Sequence, residues 1–259
     1  MTETNLLETW KEFHSDSPPF VLEADLEALE PDHYVTRCGW QDAIGASDFC
    51  RPGDTKLHLG LLPQPFFGDV RRASIYLLLL NPGLGAHDYY GEYEVPKYRA
   101  ALLANLKQEP RRGTIPFLFL DPQFAWHGGF AWWHRKLAKV MQCLASAWKV
   151  SYADARARLG TSLASIELLP YHSSAFRDAG GWLRDLRSVD LAREFVKEFV
   201  LPRVGSGEAI VIVTRKAASW NLPENPGVVV YNAVQARAAH LTPDSPGGRA
   251  ILDHLGVRY

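Results

Sequence analysis

Cysteine is scarce: Cys38, Cys50 and Cys143 are the only three in 259 residues, and no two form a Cys-x-x-Cys pair. That spacing argues against a zinc or iron–sulfur site and for a reducing cytoplasm. Long apolar runs are missing too. No basic segment followed by an apolar one opens the chain, and no run approaches the length of a membrane span, so the expectation is a soluble cytoplasmic protein that is not exported. Nor is there an excess of charge of either sign, with 28 Lys and Arg against 29 Asp and Glu. No global field then draws the chain to a polyanion; such binding needs a local basic patch and should be modest and salt-sensitive. Neither a metal nor an organic cofactor is expected, and the chain is expected to be a monomer.

What is present is ordinary globular composition, 47% hydrophobic and 22% charged, at a length that suits one α/β domain with a sizeable core. A single domain over residues 1–259 is expected, with residues 1–61 an N-terminal extension packed on it. In that extension Leu6, Leu7, Trp10 and Phe13, and again Leu22, Leu26 and Leu29, recur at helical spacing and predict two short helices. His33, Trp40 and His58 read there as surface or packing residues.

The chain is organised around Ser74-Ile-Tyr-Leu-Leu-Leu-Leu-Asn81-Pro82-Gly83-Leu84-Gly85. A short apolar run bounded by turn residues predicts a buried strand of a parallel sheet. Pro82 fixes φ and Gly83 permits positive φ, which predicts a tight turn with exposed backbone N–H groups. Open α/β sheets bind ligands at such strand ends. A loop with Asp88, Tyr89 and Tyr90 follows, then a helix from about Lys97 to Lys107 ended by Pro110. Residues 115–136 are dense in aromatics and too irregular, with Pro122 and Gly128-Gly129, for a regular element. Aromatic faces of this kind stack on unpaired bases. Helices are predicted over Trp132 to Trp148 and Tyr152 to Leu159.

A second apolar run, Leu163 to Leu169, ends in Pro170-Tyr171-His172-Ser173-Ser174 and carries Glu167, a buried carboxylate that needs a partner. An amphipathic helix is predicted over Leu183 to Arg203, ended at Pro202. The next strand, from Ala209, ends in Arg215 and Lys216, and basic residues at a strand end can anchor phosphate. The last, Gly227 to Tyr231, leads into a loop with His240, Pro243 and Ser245 before a helix over Arg249 to Leu255. This alternation predicts a three-layer α/β/α sandwich with a mostly parallel central four-stranded sheet, its strand ends gathered on one edge.

Leu80-Asn81-Pro82-Gly83-Leu84 resembles the first motif of the uracil-DNA glycosylase superfamily, in the form of its mismatch-specific branch. Leu62-Pro63-Gln64-Pro65-Phe66-Phe67-Gly68-Asp69 looks like the Pro-rich lead-in of bacterial relatives, and the resemblance covers roughly residues 62–255. It implies a uracil-DNA glycosylase-like fold and hydrolysis of the N-glycosidic bond of a flipped nucleotide in DNA, leaving an abasic site. On that resemblance Asn81 positions the attacking water. His240, in a segment similar to the superfamily's His-Pro-Ser loop, or else His172, donates to the leaving base. Pro82, Gly83, Leu84, Asp88, Tyr89 (or Tyr90), Phe124 (or Phe119), Tyr171, His172 and Ser173 line the base pocket. Arg215, Lys216 and Ser245 contact DNA. Where uracil glycosylases carry Leu-Leu-Leu-Asn, this chain has Leu168-Leu169-Pro170-Tyr171, so the uracil reader is missing. The expected substrate is a modified or mismatched pyrimidine, such as the modified bases of bacteriophage DNA, with a role in defence. Two rivals stand beside it: a non-catalytic DNA-binding or base-sensing module of the same fold, and an enzyme acting on free nucleosides.

Overall fold

The computed structural model describes residues 5–109, 113–178 and 181–258. Pro110, expected to end a helix, lies outside them. In chain order the helices are α1 (Asn5–Lys11), α2 (Glu23–Ala28), α3 (Trp40–Gly45), α4 (Ala86–Glu94), α5 (Pro96–Leu106), α6 (Gly128–Trp148), α7 (Tyr152–Ser162), α8 (Arg187–Phe195), α9 (Leu201–Gly205), α10 (Ala217–Trp220), α11 (Ala233–Ala238) and α12 (Pro246–His254). The strands are β1 (Tyr34–Val35), β2 (Leu57–His58), β3 (Phe66–Phe67), β4 (Ile75–Leu79), β5 (Leu163–Glu167), β6 (Ile210–Val213) and β7 (Val228–Val230). Among the described residues no helix is long and apolar enough to cross a membrane.

Two compact units are interleaved in sequence. Unit 1 comprises Met1–Phe66, Leu80–Pro110 and Glu167–Phe195; unit 2 comprises Phe67–Leu79, Arg111–Ile166 and Val196–Tyr259.

In unit 1 the predicted N-terminal helices form, and both α1 and α2 pack on α8. Leu6, Leu7 and Trp10 face inward. The tie between distant segments is polar: Asp25 of α2, fully buried, accepts from Tyr171 Oη at 2.6 Å and from the Ser188 N–H at 3.0 Å. α4 occupies the stretch expected to be a loop. Its N-terminus is capped by Asp88, which accepts the Gly85 N–H at 2.7 Å. Its buried residues are Asp88, Tyr89, Gly91 and Glu92, so the inward face is largely polar and leaves no apolar periodicity to read.

Unit 2 holds the main sheet, in the order β3-β5-β4-β6-β7, with Phe66 and Glu167 at strand ends counted to unit 1. β4 pairs with β6, and β6 with β7, in parallel. The mixed α/β class is as expected, but the sheet has five strands rather than four, because Phe66–Phe67 is too short to show a strand period. Ile75, Tyr76, Leu77 and Leu78 are all fully buried, the signature of a strand covered on both faces. Gly68, at φ +89°, lets the chain pass β5: a Cβ there would stand 2.4 Å from the Leu163 carbonyl oxygen.

α6 begins four residues earlier than its apolar spacing indicates, because His127 Nδ1 accepts the Gly129 N–H at 3.0 Å and caps it. Trp133, Leu137, Val140, Met141 and Leu144 form its buried stripe. The single helix expected over 183–203 is instead α8, a π-helical turn at Val196–Val200, and α9, with Pro202 near the start of α9. Pro202 has no N–H and its ring crowds the carbonyl four residues back, so the wider turn absorbs it rather than the helix ending there.

Candidate functional site

Three segments of unit 1 run side by side around the Asn-Pro-Gly turn. Leu169 N–H donates to the Leu80 carbonyl at 2.9 Å and Ser173 N–H to the Pro82 carbonyl at 3.3 Å. Gln64 N–H donates to Pro170 and His58 N–H to His172, each at 2.8 Å. Residues 168–173 are thus fixed between residues 80–83 and 58–64, each backbone bond satisfying a group that burial would otherwise penalise.

Asn81 stands half-buried in this frame. Its Nδ2 lies 2.9 Å from the Pro82 carbonyl, 3.5 Å from that of Tyr171 and 2.8 Å from Ser173 Oγ. Ser173 donates its own proton to the Ala175 carbonyl at 2.8 Å. All three groups facing the amide therefore accept, and only the NH2 end can face them. Oδ1 is left pointing elsewhere, and among the described residues no donor meets it. The Gly83 and Leu84 N–H groups likewise donate to nothing among the described residues. One acceptor and two donors are presented by one turn.

Gly83 does not adopt the positive φ expected of it, and a Cβ there would meet nothing within 4 Å. The turn is held instead by His172, whose Nδ1 donates to the Gly83 carbonyl at 2.6 Å. That bond fixes the tautomer and leaves a lone pair on Nε2, which is buried with no partner among the described residues. Burial pushes the His172 pKa down to about 4, the Gly83 carbonyl pulling the other way. The ring is neutral at pH 7. Its one N–H is committed, so it has none to give a leaving group.

Asp88 is buried with Oδ2 3.5 Å from His87 Nε2. Burial raises its pKa to about 7, with the Gly85 N–H opposing. Glu92 rises to about 8 for the same reason, although the Leu62 N–H at 2.9 Å and Arg99 at 3.7 Å both favour its charge. An ion pair at 3.7 Å does not offset complete burial, and Glu92 Oε1 has no partner among the described residues. Tyr89 is fully buried with its hydroxyl 3.0 Å from His58 Nδ1, and Tyr171 is fully buried on Asp25. Both rings are core, and neither offers an open face. Tyr90 is exposed, 5.3 Å edge-on to Trp40.

Two further neighbours of the turn carry no signal in the sequence. His58 is buried, and Cys50 Sγ lies 3.8 Å from the Leu84 carbonyl. Burial raises the Cys50 pKa, with Ser174 opposing and Asp88 and Asp54 adding to the rise. Neither residue sits in a motif, so spacing and composition give no reason to single it out.

The remaining expected residues belong to unit 2. Phe124 is buried within a 3-10 turn, Pro122–Phe124, and Phe119 is buried beside Phe67 at 4.5 Å, so this aromatic run is largely core. Ser245 caps α12: it accepts the Gly248 N–H at 3.1 Å and donates to the Thr242 carbonyl at 2.7 Å. Arg215 donates to the Ala236 and Arg237 carbonyls at 3.2 and 3.3 Å. Lys216 is exposed at φ +52°. His240 is also exposed, with its carbonyl taken by the Tyr231 hydroxyl.

No family model, no curated protein and no solved structure matches this chain. What the site can do follows from its own geometry.

Proposed function

We propose that the chain is a monofunctional DNA glycosylase of uracil-DNA glycosylase-like α/β/α architecture, hydrolysing the N-glycosidic bond of a flipped pyrimidine that is modified or mismatched. The observation that carries this is the orientation of Asn81. Its NH2 is held by three acceptors, so Oδ1 is presented as a fixed acceptor at a strand end. An amide is too weak a base to ionise water, but it can hold one in line with C1′. Breaking the C1′–N bond leaves the electron pair on the base and positive charge on the sugar; the oriented water then adds to C1′ and loses a proton to solvent. Such a reaction gains most from fixed dipoles at the departing charge. The Gly83 and Leu84 N–H groups are suited to an oxygen of the base.

His172 is not the donor in this scheme. Its Nε2 acts instead as an acceptor toward an N–H of the base. Extrusion of the base from the stack costs a few kcal/mol, least where pairing is already weak, which favours a mismatched or altered base. Excision of a base found in phage DNA and not in the host would make the activity defensive.

The test is alkali-induced nicking of DNA carrying uracil, mismatched bases or phage-type modified cytosines. Release of plain uracil with none of a modified or mismatched base contradicts the substrate assignment. Binding without nicking on every substrate supports the non-catalytic module instead.

A further inference from the structure

The solvent face of α6 is unlike the rest of the chain. Residues 122–150 contain no Asp or Glu, but they contain Arg135, Lys136, Lys139 and Lys149, in a protein of net charge −1. Trp132, Arg135, Lys136 and Lys139 follow the i, i+3, i+4, i+7 spacing of one helical face, opposite the buried stripe of Trp133, Leu137 and Val140. Arg135 and Lys139 are exposed. Trp132 is 37% exposed, and Trp126, just before the helix, is 43% exposed.

Further cations gather on the same face. Lys136 Nζ stands 5.2 Å above the Trp132 ring and donates to the Ala238 and Ala239 carbonyls at 2.5 and 2.8 Å. Arg215 donates to the neighbouring Ala236 and Arg237 carbonyls. Both side chains thus reach the C-terminal end of α11. The positive charges of Arg215 and Arg135 depress the Lys136 pKa, though burial is the larger cause. Asp244 acts on Cys143, the residue one helical turn beyond Lys139, and brings an acid to that end of the helix. Residues 225–243, which include α11, likewise contain no Asp or Glu.

We infer that this face of unit 2 is a binding track for an unpaired DNA strand. The cations follow the phosphates and the exposed side of the Trp132 indole stacks on a base. Charge complementarity selects a polyanion, and the solvent-facing side of the Trp132 indole selects one whose base faces are available, which excludes a closed duplex. The inference rests on the DNA reading above and adds a preference for single strands.

Fluorescence anisotropy of the full chain with a labelled single-stranded oligonucleotide, a duplex of equal length, and heparin as competitor tests it. The single strand should bind more tightly than the duplex. Trp132→Ala should weaken single-strand binding about tenfold with little change in salt dependence, an effect in the range of one base stack. Arg135→Gln with Lys139→Gln, both at exposed positions, should lower the slope of log affinity against log salt by about 1.4, near 0.7 for each phosphate that is no longer neutralised. Equal binding of duplex, displacement by heparin at matched charge, or an unaltered Kd in Trp132→Ala would each overturn the track. Strand binding without nicking removes the glycosylase and keeps the track, and nicking with no effect of the α6 variants does the reverse.

Discussion

Asn81 Nδ2 lies 2.8 Å from Ser173 Oγ, a bond between residues 92 apart in sequence. Ser173 thereby sets which end of the amide is presented. Removing the hydroxyl frees the amide to rotate while its backbone acceptors remain. Ser173→Ala should lower the nicking rate about tenfold through poorer orientation, at a cost of about 1 kcal/mol in stability. A wild-type rate in single turnover would show that the orientation of Asn81 does not matter.

Gly83 separates folding from ligand approach. No atom lies within 4 Å of a Cβ built there, and its φ is not positive. Gly83→Ala should change stability by less than about 0.5 kcal/mol, yet reduce activity if a base lies against the turn. A melt at the wild-type temperature with a reduced rate is the expected pair; a full rate means the ligand does not approach this face.

Asp25 holds unit 1 together. Asp25→Ala strands the Tyr171 hydroxyl and the Ser188 N–H in the interior, and two buried unsatisfied donors cost about 2–5 kcal/mol. Urea denaturation should show the destabilisation in the midpoint. A shift equivalent to less than about 1 kcal/mol would mean water replaces the carboxylate.

Stability should fall above neutral pH. Burial lowers His58 and His172 to about 4, so the unfolded chain binds more protons between about 4 and 6.5, and their contribution is full above 6.5 and lost as pH falls. Burial raises Asp88 to about 7, Glu92 to about 8 and Glu167 well above its ordinary value. For these the folded chain binds more protons, and their contribution is lost as pH rises through those values. The two sets oppose each other below 6.5; above it only the carboxyls titrate. The urea midpoint should therefore be lower at pH 8 than at pH 6, and Glu167→Gln should reduce the difference. A higher midpoint at pH 8 would contradict the protonated carboxyls.

Much of the fold is legible in the sequence, for identifiable reasons. β4, β5 and β6 show as apolar runs because both faces of each are buried, and α1, α2, α5, α6 and α7 show through spacing or breakers. The placement of Asn81 beside Tyr171, His172 and Ser173 follows from reading two strand ends as neighbours. What stays hidden is polar or short. α4 buries Asp88 and Glu92, Phe66–Phe67 is too brief for a period, and Pro202 bends a helix into a π turn instead of stopping it. The sequence predicts a partner for Glu167; among the described residues its Oε2 has none, and burial raises its pKa well above the ordinary carboxyl value, favouring the protonated form. The irregular aromatics of 117–124 fold mainly into core, whereas Trp126 and Trp132 are the partly exposed indoles of this stretch.

The most direct measurement is alkali-induced nicking by wild type and Asn81→Ala, side by side, on DNA carrying uracil, mismatched pyrimidines or phage-type modified cytosines. Nicking of a modified or mismatched substrate by the wild type, reduced at least a hundredfold in Asn81→Ala with the fold intact, is the predicted result, on the order of an active-site orienting group. Equal nicking by both proteins, or none by the wild type on any substrate, would contradict the account.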